Sequence, residues 1–196
     1  MSGRQIFELP VPDWLEQFLS EQHQPLDSPE QRMAVAIKLA RENIRQGSGG
    51  PFGALVIDQQ NGVPVSAGVN MVTTLGLSIA HAEVLALSIA QQRLGSWDLS
   101  VAGDFQLVTS CEPCAMCYGA IPWSGVGSLI CGAAGSDAEA VGFDEGEKPD
   151  HWIAALESRG IQVTTGVMGE AAAQVLRDYQ ETGQPIYNAG ARTGKD

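Results

Sequence analysis

Positively charged residues are scarce in this sequence, which has 11 Lys and Arg against 23 Asp and Glu and a formal net charge of −12. Proteins that bind nucleic acids neutralise phosphates with Lys and Arg, and this contribution usually supplies much of their affinity. The basic residues here are scattered and form no basic stripe along the chain. The composition therefore argues against a nucleic-acid partner and favours a small molecule.

Long apolar runs are also missing, because Gly, Ser or a charged residue interrupts each hydrophobic stretch before it reaches the length of a membrane span. Residues 1–12 have no apolar segment after a basic start, so they do not follow the pattern of a secretory signal. We therefore expect a cytoplasmic protein without a membrane partner. The 196 residues, 44% of them hydrophobic, suit one globular domain over 1–196, with a tail over 184–196.

Cysteine occurs at only four positions, and three of them lie within seven residues: Cys111, Cys114 and Cys117, with Cys131 further along. The chain is too long for the class of small secreted disulfide scaffolds and has no secretion signal. In a reducing compartment, clustered cysteines indicate metal or redox chemistry.

The hydrophobic pattern predicts helices and strands in alternation. Ser28-Pro29 followed by Gln31 is typical of a capped helix start, and Asn61-Gly62 between two apolar runs is typical of a hairpin. The predicted strands cover 52–58, 63–69, 105–110, 128–131 and 162–167. The predicted helices cover 13–20, 29–46, 79–93, 115–123, 137–141, 150–159 and 170–181. This order predicts a three-layer α/β/α sandwich with a mixed five-stranded sheet, whose first two strands are antiparallel and whose later strands are parallel.

Two short segments carry the chemistry: His81-Ala82-Glu83 and Pro113-Cys114-Ala115-Met116-Cys117. Each is weak by itself, since a lone His beside a Glu is commonplace and a CxxC is also found in redox pairs, zinc knuckles and buried cores. In this order, with a helix and a strand between them, they match the H-x-E…P-C-x-x-C signature of zinc nucleobase deaminases. The joined pattern therefore favours a catalytic zinc site.

The residue types suit that chemistry. One imidazole and two thiolates are ligands that zinc prefers, and they leave a fourth position open for water, whose pKa the metal lowers. Cys114 and Cys117 share one face of a helix, and the helix N-terminus favours the thiolate form. Glu83 is not a ligand in this scheme; it takes a proton from the water and returns protons to the ring and the leaving amine.

Other residues are open to more than one interpretation. Cys111 extends the run to C-x-x-C-x-x-C, but an iron–sulfur site needs a fourth nearby cysteine, so we expect Cys111 and Cys131 to be small buried residues. Trp123 follows the cysteine helix closely and could line a pocket wall. Asn70 could simply turn the chain after a strand, and the acidic run over 144–147 could be a solvated loop.

The chain resembles the cytidine and deoxycytidylate deaminase superfamily and, within it, the bacterial guanine deaminases. The similarity runs from about residue 34 to 188. It rests on the two zinc segments together with Gly50-Pro51-Phe52-Gly53-Ala54, Asn70, Glu112 and Gly142-Phe143-Asp144-Glu145.

The resemblance implies a cytidine deaminase-like fold, Zn²⁺ as cofactor and a homodimer. It implies that His81, Cys114 and Cys117 bind zinc and that Glu83 and Glu145 are catalytic. The base contacts that it implies are Asn70, Ala82, Phe52 and Trp123. Tyr187 and Asn188 are then candidates for a lid over an active site. The implied substrate is guanine, and glutamate at position 145 is similar to relatives that also accept the triazine ammeline.

Three alternatives stay open at the level of sequence. A tRNA adenosine deaminase has the same signature but must grip RNA, and a cytosine or cytidine deaminase is not excluded by the residues. A non-catalytic, zinc-stabilised binding module would instead use Cys111 as a fourth ligand and would not need Glu83.

Overall fold

The predicted helix start at Ser28 and the predicted hairpin turn at Gly62 are both formed, and local contacts explain them. In a computed structural model that describes residues 9–188, the Ser28 hydroxyl accepts a hydrogen bond from the Gln31 amide, and the Gln31 side chain accepts one from the Ser28 amide. This capping box, with Pro29 in the first turn, begins the long second helix. Gly62 takes a left-handed φ of 72° in the hairpin turn, a conformation that glycine adopts at little cost.

Five strands form one sheet in the order β2-β1-β3-β4-β5. The strands are β1 Gly53–Asp58, β2 Val63–Val69, β3 Phe105–Cys111, β4 Ser128–Ala133 and β5 Gln162–Thr164. The helices are α1 Asp13–Ser20, α2 Pro29–Gln46, α3 Val72–Leu75, α4 Ala82–Leu94, α5 Ala115–Ser124, α6 Gly135–Ala140, α7 Trp152–Glu157 and α8 Gly169–Glu181, with a short 3₁₀ turn over Leu99–Val101. None of the helices within residues 9–188 is long and apolar enough to cross a membrane.

The sheet is mixed, as predicted. β1 is antiparallel to β2 and β3, whereas β3, β4 and β5 are parallel. This arrangement brings the start of β1 and the ends of β2, β3 and β4 to one edge of the sheet, because an antiparallel strand starts where its neighbours end. The residues that follow parallel strands at such an edge commonly form ligand sites.

Helices cover both faces of the sheet and define two hydrophobic cores. One core joins α1, α2 and α8 to side chains such as Leu55 and Val108, and the other joins α4, α5 and α7 to side chains such as Val56 and Leu107. Neighbouring residues of a strand point to opposite faces, which explains how almost every residue of β1 and β3 is buried. The three-layer prediction is confirmed.

Several boundaries differ from the sequence prediction by one or two residues, and two differ by three. α4 begins at Ala82 rather than at residue 79, because His81 has an extended backbone (φ −76°, ψ 152°) and occupies the N-cap position. β5 ends at Thr164 rather than at 167, because Gly166 turns the chain with a φ of 74°. The short helix α3 was not predicted, since its four residues carry no hydrophobic periodicity.

Candidate metal centre and active site

The histidine and two cysteines of the sequence motifs meet at the starts of two helices. His81 is the N-cap residue of α4, Cys114 is the N-cap residue of α5, and Cys117 lies in the first turn of α5. The Nδ1 atom of His81 is 3.5 Å from the Cys114 Sγ and 3.6 Å from the Cys117 Sγ. All three donor atoms lie within 4.8 Å of one another.

This donor set fits a tetrahedral zinc ion. In protein sites, zinc lies about 2.3 Å from a sulfur ligand and about 2.1 Å from a nitrogen ligand. At the tetrahedral angle these bond lengths place the nitrogen and the sulfur about 3.6 Å apart. The two N–S distances in the structure agree with that value. Three protein ligands leave one position of the tetrahedron for water or substrate, which is the arrangement of catalytic rather than structural zinc sites.

The two cysteine thiols differ strongly in acidity. The hydrogen bond from the Cys117 thiol, assisted by His81, lowers the pKa of Cys114 to about 4. The same bond, together with burial, raises the pKa of Cys117 well above its ordinary value. A thiolate is therefore present at neutral pH, and a divalent cation would displace the remaining proton.

Glu83 lies in the first turn of α4, two residues after His81, and it is buried. Burial, followed by the negative charge of Cys114, raises the pKa of its carboxyl. Because its side chain lines the same cavity as His81 and Cys114, a carboxyl group that can exchange a proton faces the metal ligands.

Two cavities that share several lining residues adjoin this cluster. The inner one has a volume of about 20 Å³, which is room for about one water molecule, and Phe52, Asn70, Glu83 and Glu145 all line it. The outer one has a volume of about 640 Å³ and is lined by His81, Cys114, Glu145 and residues of the C-terminal segment. The structure thus brings Phe52, Asn70 and Glu145 to the metal-ligand cluster.

Glu145, rather than Glu147, faces the cavity. Glu145 is buried, whereas Glu147 is exposed. Burial, followed by the charges of Cys114 and Glu83, raises the pKa of Glu145 to about 8. Its Oε2 atom has no hydrogen-bond partner within residues 9–188. The raised pKa lets this carboxyl group hold a proton close to neutral pH, and the protonated form can both donate hydrogen bonds to a ligand and accept them.

Asn70 has a fixed backbone and a side chain directed at the cavity. Its backbone N–H donates to the Phe52 carbonyl over 3.1 Å, and its carbonyl accepts from the Asn43 amide over 2.8 Å. Its side-chain Nδ2 donates to the Tyr187 hydroxyl. The Asn70 side chain therefore does more than turn the chain after β2.

An aromatic cluster forms one wall of the inner cavity. Phe143 packs edge-on against Phe52 with 4.9 Å between ring centroids, and Tyr187 packs edge-on against both Phe143 and His81. The sequence gives Phe143 no role beyond its place in the segment over 142–145. The signal that could identify it is the alternation of apolar residues with Gly and Asp over 141–144, which is typical of side chains that alternate between the interior and solvent.

Two of the predicted base contacts do not reach the cavities. Trp123 is 81% exposed and borders a separate surface cavity with Trp97 and Pro122. It lies nine residues after Cys114, and a helix of that length carries it about 13 Å along the axis. Ala82 is buried beside His81, but it is not among the residues that line either cavity.

Replacing Trp123 with Ser is therefore expected to leave the kcat and KM of the enzyme within about twofold of the wild-type values, because surface substitutions away from a site change little. Steady-state kinetics on the purified variant checks this, with Phe52→Ala as the positive control. A tenfold rise in KM for Trp123→Ser would restore the pocket-wall interpretation.

The other two cysteines lie outside the metal-ligand cluster, as expected. Cys131 is buried in β4. Cys111 is buried at the end of β3, where its thiol points to the Ala134 carbonyl oxygen at 3.6 Å. Since Cys111 is not part of the ligand cluster, the geometry does not support a closed four-ligand structural site.

The fold and the His-Cys-Cys centre with its adjacent glutamate define a hydrolytic deaminase. The family described as the cytidine and deoxycytidylate deaminase zinc-binding region matches residues 26–133, and the chain belongs to this family. The resemblance given by the sequence motifs is thereby confirmed.

Relatives within this family include proteins that act on free bases. A guanine deaminase of Bacillus subtilis is 43% identical over 110 residues, which is 56% of this chain and 67% of that protein. The structure of a guanine deaminase from Nitrosomonas europaea is 45% identical and covers 91% of this chain and all of that one, with a TM-score of 0.84. A structure of the protein NE0047 with 2,6-diaminopurine is 46% identical and covers 93% of this chain and 96% of that one, with a TM-score of 0.85.

Proposed function

We propose that this protein is a zinc-dependent guanine deaminase, which converts guanine and water into xanthine and ammonia. The observation that carries this proposal is the placement of His81, Cys114 and Cys117 around one point, with Glu83 in the same cavity. The guanine deaminase relatives and the purine-bound structure similar to this chain support a purine as the base. The net charge of −12 is consistent with a small substrate rather than RNA.

In this proposal, His81, Cys114 and Cys117 hold the zinc ion. When bound, zinc supplies the Lewis acidity that makes a water molecule nucleophilic near neutral pH. Glu83 would accept a proton from the water that adds to the ring carbon bearing the amino group. It would then pass protons to the adjacent ring nitrogen and to the departing amine.

The base is held between apolar and polar groups. Phe52 and Phe143 present ring surfaces to the inner cavity, which suits a flat heterocycle. Asn70 provides a carboxamide and Glu145 a carboxyl with a free oxygen, so together they can pair with the ring nitrogens and carbonyl of guanine. A base that lacks those groups would leave buried polar atoms unpaired, which is an effective way to reject it.

Tyr187 is proposed as part of a lid. The inner cavity is too small for a purine while the Tyr187 ring packs on Phe143 and its hydroxyl accepts from Asn70. The segment is held down by Asn188, whose side chain donates to the Gly142 carbonyl over 2.8 Å. Guanine would therefore enter through the outer cavity and take over the Asn70 hydrogen bond from Tyr187. The predicted tail continues over 189–196, which lies outside the described residues, and the expected homodimer stays a prediction.

A tRNA adenosine deaminase is the second candidate, because such an enzyme of Bacillus subtilis is 38% identical over 101 residues, covering 52% of this chain and 59% of that protein.

A substrate panel separates the two candidate functions. Ammonia release is measured with zinc-loaded protein on guanine, ammeline, adenine, cytosine, guanosine, cytidine and a tRNA. We expect the highest kcat/KM for guanine, and the ammeline rate reports how permissive the Glu145 pocket is. Ammonia release from tRNA or from cytosine, with none from guanine, would refute the proposal.

Replacing Asn70 with Ala is expected to lower kcat/KM for guanine by about 10- to 100-fold, because one or two hydrogen bonds to the base are lost. The folded protein should retain its zinc. Asn61→Ala, which removes an exposed asparagine in the hairpin turn, is the matched control. An unchanged kcat/KM in Asn70→Ala would mean that this side chain does not contact the base.

A further inference from the structure

Lys148 is a largely buried cation with no role in the chemistry described above. Its side chain is only 13% exposed. The Nζ atom donates a hydrogen bond to the Pro113 carbonyl over 3.0 Å and lies 3.8 Å from the Glu112 Oε2 atom. It also lies 4.6 Å from the centre of the Trp152 ring, within the range of a cation–π contact.

These partners join two separate parts of the active site. Pro113 directly precedes the metal ligand Cys114, whereas Lys148 ends the acidic loop over 144–148 that carries Glu145. The Glu112 carboxylate also accepts a hydrogen bond from the Gly135 amide over 3.1 Å, which ties it to the start of α6. Lys148 therefore connects the loop between α6 and α7 to the segment between β3 and α5.

A second contact joins the same two segments at Glu145 itself. The Ala115 amide at the start of α5 donates to the Glu145 carbonyl over 2.8 Å. A Cβ atom at Gly146 would lie 3.1 Å from the Ala115 side chain, so the loop packs closely on α5 at this point. The loop is thus attached to residues 112–115 at the Glu145 backbone and again, three residues later, through Lys148.

We infer that Lys148 is a positioning residue, which clamps the acidic loop onto residues 112–115 and so fixes the Glu145 carboxyl relative to the metal ligands. This inference rests on the proposed function, in which Glu145 binds the base. A displacement of about 1 Å in a binding group lowers catalysis by up to about 100-fold. Lys148 itself lines neither the inner nor the outer cavity, although its positive charge opposes the rise in the pKa of the Glu145 carboxyl.

Stability alone does not explain a buried ion pair at this position. Replacing both members of such a pair by apolar side chains is often neutral or favourable for folding, whereas removing one member is destabilising because the other charge stays buried without its partner. Lys148→Met keeps an unbranched side chain of similar length but removes the charge and the donor. A purely structural role would therefore appear in thermal unfolding, whereas a positioning role appears in the kinetics.

The experiment compares Lys148→Met, Lys148→Arg and the control Lys38→Met in the full-length, zinc-loaded protein. Lys38 also lies over an aromatic ring, 4.9 Å from the centre of Phe18, but far from the metal ligands in the fold. The measurements are kcat and KM for guanine and zinc content. We expect Lys148→Met to lower kcat/KM about 10- to 100-fold with one zinc retained, Lys148→Arg to restore most of it, and Lys38→Met to match the wild type.

A double-mutant cycle with Glu145→Gln tests whether Lys148 acts through Glu145. If it does, Lys148→Met lowers kcat/KM by less than about threefold in the Glu145→Gln background, because coupled residues are non-additive. Equal losses in both backgrounds, loss of zinc, or normal kinetics for Lys148→Met would each overturn the inference. If Lys148→Met does not fold, Lys148→Gln takes its place in the cycle. Failure of the proposed function gives a different result. In that case the wild type does not deaminate guanine, or Glu145→Gln deaminates it as fast as the wild type.

Discussion

Glu83→Gln is expected to lower kcat for guanine by about 10²- to 10⁴-fold while the protein folds and retains its zinc. The amide has nearly the same shape as the carboxyl group, but it cannot take a proton from water or pass one to the leaving amine. Glu83 is buried in the first turn of α4 and lines the cavity next to His81 and Cys114, so no exposed group can readily replace it.

The control for this prediction is Glu147→Gln, which removes the exposed carboxylate of the nearby loop. It should retain the wild-type kcat, and zinc analysis of both variants should give one ion per chain. If Glu83→Gln retained more than about a tenth of the wild-type kcat, Glu83 would not be the proton-transfer group. A loss of zinc in Glu83→Gln would instead make it a residue of the metal site.

Cys117→Ser is expected to reduce zinc affinity by at least about 100-fold and to abolish deamination at micromolar protein. Mutations of groups that merely hydrogen-bond to metal ligands already cost 10- to 100-fold, and Cys117 lies in the ligand cluster itself, 3.6 Å from the His81 Nδ1 atom. The measurement is zinc content after dialysis, together with activity before and after zinc is added back.

Cys131→Ser is the matched control, because it changes another buried cysteine that lies outside the ligand cluster. This variant should retain zinc and activity even if its thermal stability falls. Chelation of the wild-type protein should likewise abolish activity, and added zinc should restore it. Full activity of zinc-free protein, or of Cys117→Ser without bound metal, would contradict the assignment of the metal site.

The metal ligands and Glu83 could be anticipated from the sequence because their chemistry restricts both residue type and spacing. Two thiolates three residues apart at a helix start and a histidine two residues before a glutamate leave few alternatives once both segments are present. The layers of the fold were also predictable, since hydrophobic periodicity and turn residues mark the elements. The Asn61-Gly62 hairpin and the Ser28 capping box show this directly.

Other features depend on contacts between distant parts of the chain, which no local pattern encodes. Lys148 touches Pro113 across 35 positions, and Asn43 bonds to Asn70 across 27. The start of α4 was placed too early because Ile79 continues the apolar pattern, although His81 needs an extended backbone at the N-cap. Trp123 was expected in the pocket because it follows Cys117 in sequence, but α5 carries it to the surface.

The proposed deamination of guanine at the His81, Cys114 and Cys117 centre is tested by incubating guanine with zinc-loaded protein and quantifying xanthine and ammonia after separation. We expect the wild type to form the two products in equal amounts, and Glu83→Gln to form xanthine at least about 100-fold more slowly. If guanine stays unchanged in the presence of protein that carries one zinc ion per chain, the proposed guanine deaminase activity is wrong.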